Sequence, residues 1–562
     1  MGFLEVRNLT FRYPNASEDA LKGVSFSLPE GSFTVLAGTS GSGKSTLLRL
    51  LKREISPFGQ KSGELFFRGM RLEALDERES VSGIGFVFQN PESSIVTDKV
   101  WHELAFGLEN LGLPTQEIRR RVAEMAGYFG IEPWFHRNTV SLSGGEKQLL
   151  NLASVMVLQP KLLLLDEPTA QLDPIAADGF IETLRKLNRD FGLTILLSEH
   201  RLEEVLPEAD RLLLLQAGEP AFFGSPREAA RHFIAHPDDP MKEAMPSAFR
   251  IFAEDCERAK EACPLTVREA RTYLQNHYRN EIRRPDRPVS PARNSDPVLE
   301  LRDLWFRYEK KAPDVLKGLS FAVRPGEHTA LIGGNGAGKT TVLSILAGIL
   351  KPVSGTVSFR GKRIGSFSQK ELYRRGIALL PQDPAAAFVS KTVREELSET
   401  AGLLEEKEKA GEAVLSMAER LGIAALLDRH PYDLSGGEQE KAALAKVLLL
   451  QPEVLLLDEP TKGLDARFKK ELASILDGLR RAGTAIVTVT HDIEFAAESA
   501  DRVALLFDGQ VISEEGPSEF FPKNRYYTTA ANRISRDHYD GAVLVREVAG
   551  LLARNGRKGG EA

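Results

Sequence analysis

The chain of 562 residues has little that would tie it to an oxidising compartment, a bilayer or a polyanion. Its two cysteines, Cys256 and Cys263, cannot supply a disulfide framework at this length, and their spacing lacks the partner ligands of a zinc site. A reducing cytosol is the expected home. No apolar run approaches the roughly 18 residues that cross a bilayer, so at a membrane other proteins must hold this one. The opening MGFLEVRNLTFRYP alternates as a strand does and lacks the basic, apolar and small-residue succession of a secretory signal. Lys and Arg number 73 against 79 Asp and Glu, a net charge of −6 that gives no overall attraction to phosphate backbones or anionic lipid. No nucleic-acid partner is expected. At roughly 150 residues per domain, the length corresponds to three or four domains, each able to bury a core.

What the chain does have is a glycine loop, present twice. Gly38, Thr39, Ser40, Gly41, Ser42, Gly43, Lys44, Ser45 and Thr46 stand between the apolar FTVLA and a leucine pattern at helical spacing. Gly333, Gly334, Asn335, Gly336, Ala337, Gly338, Lys339, Thr340 and Thr341 repeat the arrangement. Strand, GxxxxGK[ST] loop and helix form a phosphate clamp: the glycines let several N–H groups converge on a triphosphate, and the helix adds its positive end. Lys44 and Lys339 are expected on the β and γ phosphates of ATP, Ser45 and Thr340 on Mg2+.

The repetition extends along both halves. LEVRNLTFRY returns as LELRDLWFRY, and Lys44 and Lys339 set the offset at 295. GFVFQ ends at Gln89 and ALLPQ at Gln382; LSGGE occupies 142–146 and 434–438; LLLLDE ends at Glu167 and VLLLDE at Glu459; TILLSEH ends at His200 and AIVTVTH at His491. Strands alternating with helical patterns argue for an α/β fold with a parallel sheet covered by helices, twice over. Between the halves, 241–278 reads as amphipathic helix and 283–297 as proline-rich linker; the tail from 516 reads as partly helical, ending in a frayed RKGGEA.

Each recurring group has a chemical reading. Asp166 and Asp458 end apolar strands, from which a carboxylate can orient Mg2+. Glu167 and Glu459, one residue on, can polarise the attacking water, and burial at a strand end is expected to raise their pKa as suits a base. Gln89 and Gln382 can contact the metal or the water, or can be plain surface residues. His200 and His491 can hydrogen-bond a γ phosphate. Ser143, Gly144 and Gly145, with their counterparts Ser435, Gly436 and Gly437, start a helix and form a second phosphate-binding terminus. A domain needs one clamp, so this spare one makes sense closing over ATP held by another copy.

Together these motifs resemble the tandem ATP-binding cassette proteins, with Walker A, Gln loop, signature, Walker B and His switch in both halves. The resemblance covers residues 1 to about 225 and 298 to about 515. It implies two ABC-type P-loop NTPase domains in one chain, each with a RecA-like core, an antiparallel β subdomain and a helical subdomain, paired head to tail. The implied division is 1–240 and 298–530 for the cassettes, 241–297 for a helical segment and linker, and 531–562 for a tail. ATP on Gly38–Thr46 would be closed by Ser435–Glu438, and ATP on Gly333–Thr341 by Ser143–Glu146. Tyr13 and Tyr308 resemble the family's adenine-stacking aromatic, with core strand tyrosines as the alternative, and Asp173 and Asp465 match its D loop.

Within the family, SIVTDKVWHELAFGLENLGLP after Gln89, CPLTVREAR at 263–271 and YYTTAANR at 526–533 resemble the ATPases of energy-coupling-factor importers. This implies a transmembrane coupling protein and a small substrate-binding membrane protein as partners, the cytoplasmic membrane face as location, and a vitamin, vitamin precursor, cobalt or nickel as cargo. The second half departs from the pattern, with DPAAAFVSKTVREEL after Gln382, so the docking grooves are expected to differ. Tandem sugar-importer ATPases usually have an eroded second Walker A, whereas GGNGAGKTT is whole. A ribosome-acting tandem ATPase would carry a strongly basic inter-cassette segment, whereas residues 241–297 hold 11 Lys and Arg against 9 Asp and Glu.

Overall fold

A computed structural model describes residues 2–14, 16–259, 261–286, 295–404 and 407–558; the centre of the proline-rich linker, 287–294, and the last four residues lie outside these. The chain divides into two units, 1–270 and 271–562. The first contains β1 (Leu4–Arg12), β2 (Leu21–Leu28), β3 (Phe33–Gly38), β4 (Gln60–Phe67), β5 (Met70–Arg71), β6 (Ile84–Val87), β7 (Leu162–Asp166), β8 (Thr194–Ser198), β9 (Arg211–Gln216) and β10 (Glu219–Gly224). Strands β2-β1-β4-β5 form an antiparallel sheet, and β10-β9-β3-β8-β7-β6 a sheet that is parallel except for β10. Strand β1 buries Leu4, Val6, Leu9 and Phe11 and turns polar residues outward, as a one-sided sheet requires. Strands β3, β7 and β8 are buried at every position, which explains their nearly continuous apolar sequences.

The second unit repeats this with β11 (Leu299–Phe306), β12 (Leu316–Val323), β13 (His328–Ile332), β14 (Ser354–Phe359), β15 (Lys362–Arg363), β16 (Ile377–Leu380), β17 (Val454–Asp458), β18 (Ala485–Val489), β19 (Arg502–Phe507) and β20 (Gln510–Glu515). The sheet orders are β12-β11-β14-β15 and β16-β17-β18-β13-β19-β20, the same topology. Helices Val100–Asn110, Thr115–Tyr128 and Gly144–Met156 pack together as the helical part of the first unit; Val393–Ala401, Lys407–Arg420 and Gly436–Leu449 do so in the second. The expected α/β class with an antiparallel sheet and a helical part in each half is present.

This topology brings the motifs to one edge. Registers Leu36↔Ser198 and Asp166↔Ser198 set the C-terminal ends of β3, β8 and β7 side by side, with the glycine loop leaving β3. In the second unit Leu331↔Val489 and Asp458↔Val489 do the same. Carboxyl ends of parallel strands are where open α/β sheets hold ligands.

Each unit continues past its last strand into a helix anchored to the helix that follows the histidine. The Ser247 N–H, at the start of Ser247–Ala259, donates to Glu203 Oε2 at 2.7 Å. The Ala530 N–H, at the start of Ala530–Ser535, donates to Glu494 Oε1 at 2.7 Å. The expected fraying is not found at its first two residues: the Lys558 N–H donates to His277 O at 2.7 Å, and Arg557 donates to the Tyr273 hydroxyl at 2.7 Å.

One core substitution distinguishes the sheets. His328, buried on β13, occupies the place of Phe33, and its neighbour Thr488 that of Leu197. Nδ1 lies 2.9 Å from Ser499 O, a carbonyl that can only accept, so Nδ1 carries the proton and Nε2 accepts from the Thr488 hydroxyl at 2.9 Å. Burial pushes His328 down to about 4. Below pH 6.5 the unfolded chain therefore takes up a proton that the folded one refuses until about pH 4, and stability falls through that window. The cost is about 2 kcal/mol at pH 5. Thermal melts at pH 7.5 and pH 5 should show this loss in the parent and its absence in His328→Phe/Thr488→Leu; equal losses in both would contradict it.

Candidate functional site

The helix of the clamp in each unit starts at a glycine whose place no other residue fits well. Gly43 and Gly338 precede the helices Lys44–Leu50 and Lys339–Leu346 with φ of 98° and 101°, a left-handed region that favours glycine. A methyl on Gly43 would lie 2.6 Å from Ala20 O, and one on Gly338 3.0 Å from the Leu316 side chain. Lys44 is buried and donates from Nζ to Gly38 O and Thr39 O at 3.0 and 3.1 Å; Lys339 donates to Gly333 O and Gly334 O at 2.9 and 3.0 Å. Both ammonium groups thus sit inside the curl of their own loop.

At the neighbouring strand ends the carboxylates are held in detail. Ser45 and Ser198 both donate to Asp166 Oδ1 at 2.9 Å, and Ser198 Oγ accepts the Glu167 N–H at 3.1 Å. Gln89 donates to Glu167 Oε2 at 2.9 Å, and His200 Nε2 lies 2.8 Å from Glu167 Oε1. Glu167 and Glu459 adopt φ of 45° and 54°, a strained backbone for a non-glycine residue and one that clusters at functional sites. In the second unit His491 donates its N–H to Glu459 Oε2 at 3.0 Å and brings Nε2 to 3.2 Å from Oε1. Gln382 differs from Gln89: it is exposed and forms no side-chain hydrogen bond among the described residues.

The charges correct one expectation. Burial, aided by the Glu167 charge, pushes Asp166 above the ordinary carboxylate range, and burial does the same to Asp458. Burial also pushes Glu167 up, but the charge and hydrogen bond of His200 outweigh it and hold the group below its ordinary value. The rise expected at the glutamate falls on the aspartate because the histidine lies on the glutamate. His200 and His491, expected on a phosphate, are found on these carboxylates.

Oxygen donors suited to Mg2+ are present in both units. Ser45 and Asp166 already touch, and in the second unit the Thr340 hydroxyl bonds Asp458, whose Oδ1 is buried without a hydrogen-bond partner. A carboxylate and a hydroxyl are hard oxygen donors of the kind Mg2+ takes, so these residues would fit it. Among the described residues no three His, Cys, Asp or Glu gather as a metal cluster.

The remaining motifs have local reasons for their residues. Ser143 caps Gly144–Met156 reciprocally with Glu146, and Ser435 caps Gly436–Leu449 with Glu438. A methyl on Gly144 or Gly436 would meet nothing, so these glycines keep open the approach to a helix terminus. Asp173 and Asp465 cap the helices Pro174–Phe191 and Ala466–Arg481, accepting from Ala176 and Phe468 N–H at 2.9 Å. Tyr13 and Tyr308 are not core residues: they are 36% and 63% exposed, with hydroxyls 3.0 and 2.9 Å from Thr46 and Thr341 Oγ1 in the clamp helices. Sequence reasoning missed Ser198, whose counterpart is Val489; comparison of the two histidine strands was the available signal.

Beside Gln89 the first unit has a cleft of about 180 Å3 lined by Phe86, Phe88, Phe106, Asn151 and Ser154. Asn151 Nδ2 is buried there without a hydrogen-bond partner, and Val96 and Phe106 are exposed along its lining. The second unit has Glu399 for Phe106 and Lys446 for Ser154. Lys446 Nζ donates to Ala387 O at 2.6 Å and to the buried Glu396.

The ABC transporter family profile matches residues 21–170 and 316–462. A relative from Bacillus thuringiensis subsp. konkukian is 42% identical over 548 residues, 97% of each chain. One from Streptomyces coelicolor is 36% identical over 538 residues, 92% of this chain and 94% of that one. Both are named as ABC transporter ATP-binding proteins, without a substrate. Among solved structures, cbiO1 from Clostridium perfringens, part of the ABC transporter complex cbiONQ, is 31% identical and covers 42% of this chain and 94% of its own, with a TM-score of 0.38.

The strained glutamates at the two strand ends generate a test. Glu167→Gln/Glu459→Gln should retain ATP binding within a few-fold and lose at least about a hundredfold in turnover, the scale of a removed general base. Near-parent turnover would contradict their role.

Proposed function

The chain belongs to the ABC transporter ATP-binding proteins, and we propose that it is the ATP-hydrolysing subunit of an energy-coupling-factor type importer for a vitamin, a vitamin precursor or a transition-metal ion such as cobalt or nickel. ATP lies on the two glycine loops, with its adenine against Tyr13 or Tyr308 and its phosphates on the loop N–H groups and on Lys44 or Lys339. Mg2+, held by Ser45 and Asp166 or by Thr340 and Asp458, supplies neutralisation of phosphate charge. Glu167 or Glu459 orients a water for in-line attack on the γ phosphorus and accepts its proton. His200 and His491 hold those carboxylates in place. Gln89 reports to Glu167 from the strand end beside the cleft, a direct route between whatever docks there and the water-activating group.

In this reading the cassettes of one chain close on ATP head to tail, each signature serine and its glycines capping the other cassette's nucleotide. Release of phosphate reopens them. Among the described residues no helix is long and apolar enough to cross a membrane, and the reading places the chain on the cytoplasmic face, held by a polytopic coupling protein beside a small substrate-binding membrane protein.

The observation that carries the importer assignment is the cleft beside Gln89. Its aromatic walls suit an apolar side chain, and the buried Asn151 amide offers a donor to a partner's carbonyl. Its sequence, QNP followed by VWHELAFGLEN, is the text that resembles this importer class. The second unit's cleft position carries the Lys446–Glu396 ion pair, so its partner segment must be more polar.

Affinity capture of the full chain from native membranes tests the proposal. It should recover a polytopic protein and a small membrane protein, and Phe106→Glu, which copies Glu399, should lower that recovery about tenfold or more, as loss of a central aromatic anchor does. The variant should melt where the parent does. Recovery of ribosomes in place of membrane proteins, or undiminished capture by the variant, would contradict the assignment.

A further inference from the structure

The two units diverge at the residue before the histidine: Ser198-Glu199-His200 in the first, Val489-Thr490-His491 in the second. Glu199 is an acid only 3% exposed, with no part in the chemistry described above. It accepts from the Thr169 hydroxyl at 2.6 Å and from the Thr169 N–H at 3.2 Å, while its own N–H donates to Leu36 O of β3 at 3.2 Å. Burial pushes its carboxyl up to about 7, against the pull of the Thr169 hydroxyl. Burying a carboxyl is unfavourable unless hydrogen bonds compensate, and here both compensating donors belong to one residue.

That residue is well placed. Thr169 lies two positions after Glu167 and four before Asp173, in the turn that carries the water-activating carboxylate onward to the D loop. Three consecutive residues at the end of β8 therefore grip three points opposite. Ser198 holds Asp166 and the Glu167 N–H, Glu199 holds Thr169, and His200 holds the Glu167 carboxylate. In the second unit Val489 accepts the Glu459 N–H through its carbonyl at 2.8 Å, and His491 holds the carboxylate. The middle grip is different. The Thr490 hydroxyl accepts the Asp492 N–H at 2.9 Å, turned toward the helix that follows the histidine.

We propose that Glu199 is a positioning residue of the first ATP site alone, holding the turn from Glu167 to Thr169 so that the chain's two sites differ in their turnover step and not in nucleotide affinity. This rests on the reading of Glu167 and Glu459 as the water-activating groups. Glu199 acts through Thr169, and so on the turn from Glu167. Displacing a reacting group by a fraction of an ångström lowers kcat while leaving the binding surface intact, which separates positioning from binding.

ATP hydrolysis by the full chain in two reciprocal backgrounds tests this, with Glu459→Gln reporting the first site and Glu167→Gln the second. In the Glu459→Gln background, Glu199→Ala should lower kcat about tenfold with KM for ATP within about twofold. Glu199→Gln, which keeps an acceptor oxygen for Thr169, should regain most of that loss. In the Glu167→Gln background, Glu199→Ala should change kcat by less than about twofold. If steady-state turnover in a background is too slow, phosphate release in a single turnover gives the same comparison. An unchanged rate in the first background, an equal loss in both, or a loss that Glu199→Gln leaves in place would overturn the proposal. Full turnover in Glu167→Gln/Glu459→Gln would overturn the glutamate reading itself, so the two failures are distinguishable.

Discussion

The structure depends on a constraint at the ends of β7 and β17, where two successive carboxylates leave a buried strand and the second adopts a left-handed backbone. Such a turn is unfavourable for glutamate and persists only where its surroundings determine it. The surroundings here are the neighbouring strand end, which supplies a carbonyl to the glutamate N–H and a histidine to its carboxylate in both units. The sheet order follows from the same need. With β8 between β3 and β7, and β18 between β13 and β17, one strand end faces the phosphate loop on one side and the paired carboxylates on the other.

Duplication makes the chain its own control. Where the copies agree, the residues serve chemistry common to both: the glycine loops, the lysines inside them, the capped signature helices and the histidine on glutamate. Where they differ, the differences come as matched sets. Phe33 and Leu197 become His328 and Thr488, two buried apolar residues exchanged for a hydrogen-bonded pair. Phe106 becomes the exposed Glu399, and Ser154 becomes Lys446, which pairs with the buried Glu396, so an aromatic cleft in one unit is an ion-paired position in the other. Ser198 and Glu199 become Val489 and Thr490 beside otherwise matching motifs. Two sites that share their motifs and differ in their supports are what unequal work in the two halves, as proposed, would require.

Much of this was legible in the sequence, because glycine loops, strand-end carboxylates and LSGGE helix starts carry their geometry in their spacing. The α/β class, the duplication and the inequality of the two post-glutamine segments were all readable. The charge on Glu167 was not: burial alone predicts an upward shift, and the result depends on how close His200 comes in three dimensions. Gln89 and Gln382 read alike, yet one reaches the glutamate and the other faces solvent. The helices after each cassette were visible as an amphipathic stretch over 241–278 and a partly helical tail from 516, but their shared anchoring on Glu203 and Glu494 appears only when Ser247 and Ala530 are located.

In the proposed reading, one chain holds everything needed to close on ATP and hydrolyse it. Closure of the two cassettes of one chain, as proposed, would be an intramolecular event at an effective concentration that dilution cannot change. The most direct measurement is ATP turnover per chain over an approximately hundredfold range of protein concentration at saturating ATP and Mg2+. A constant value per chain is expected down to the lowest concentration; turnover that falls on dilution, as for two chains that must meet, would contradict intramolecular closure.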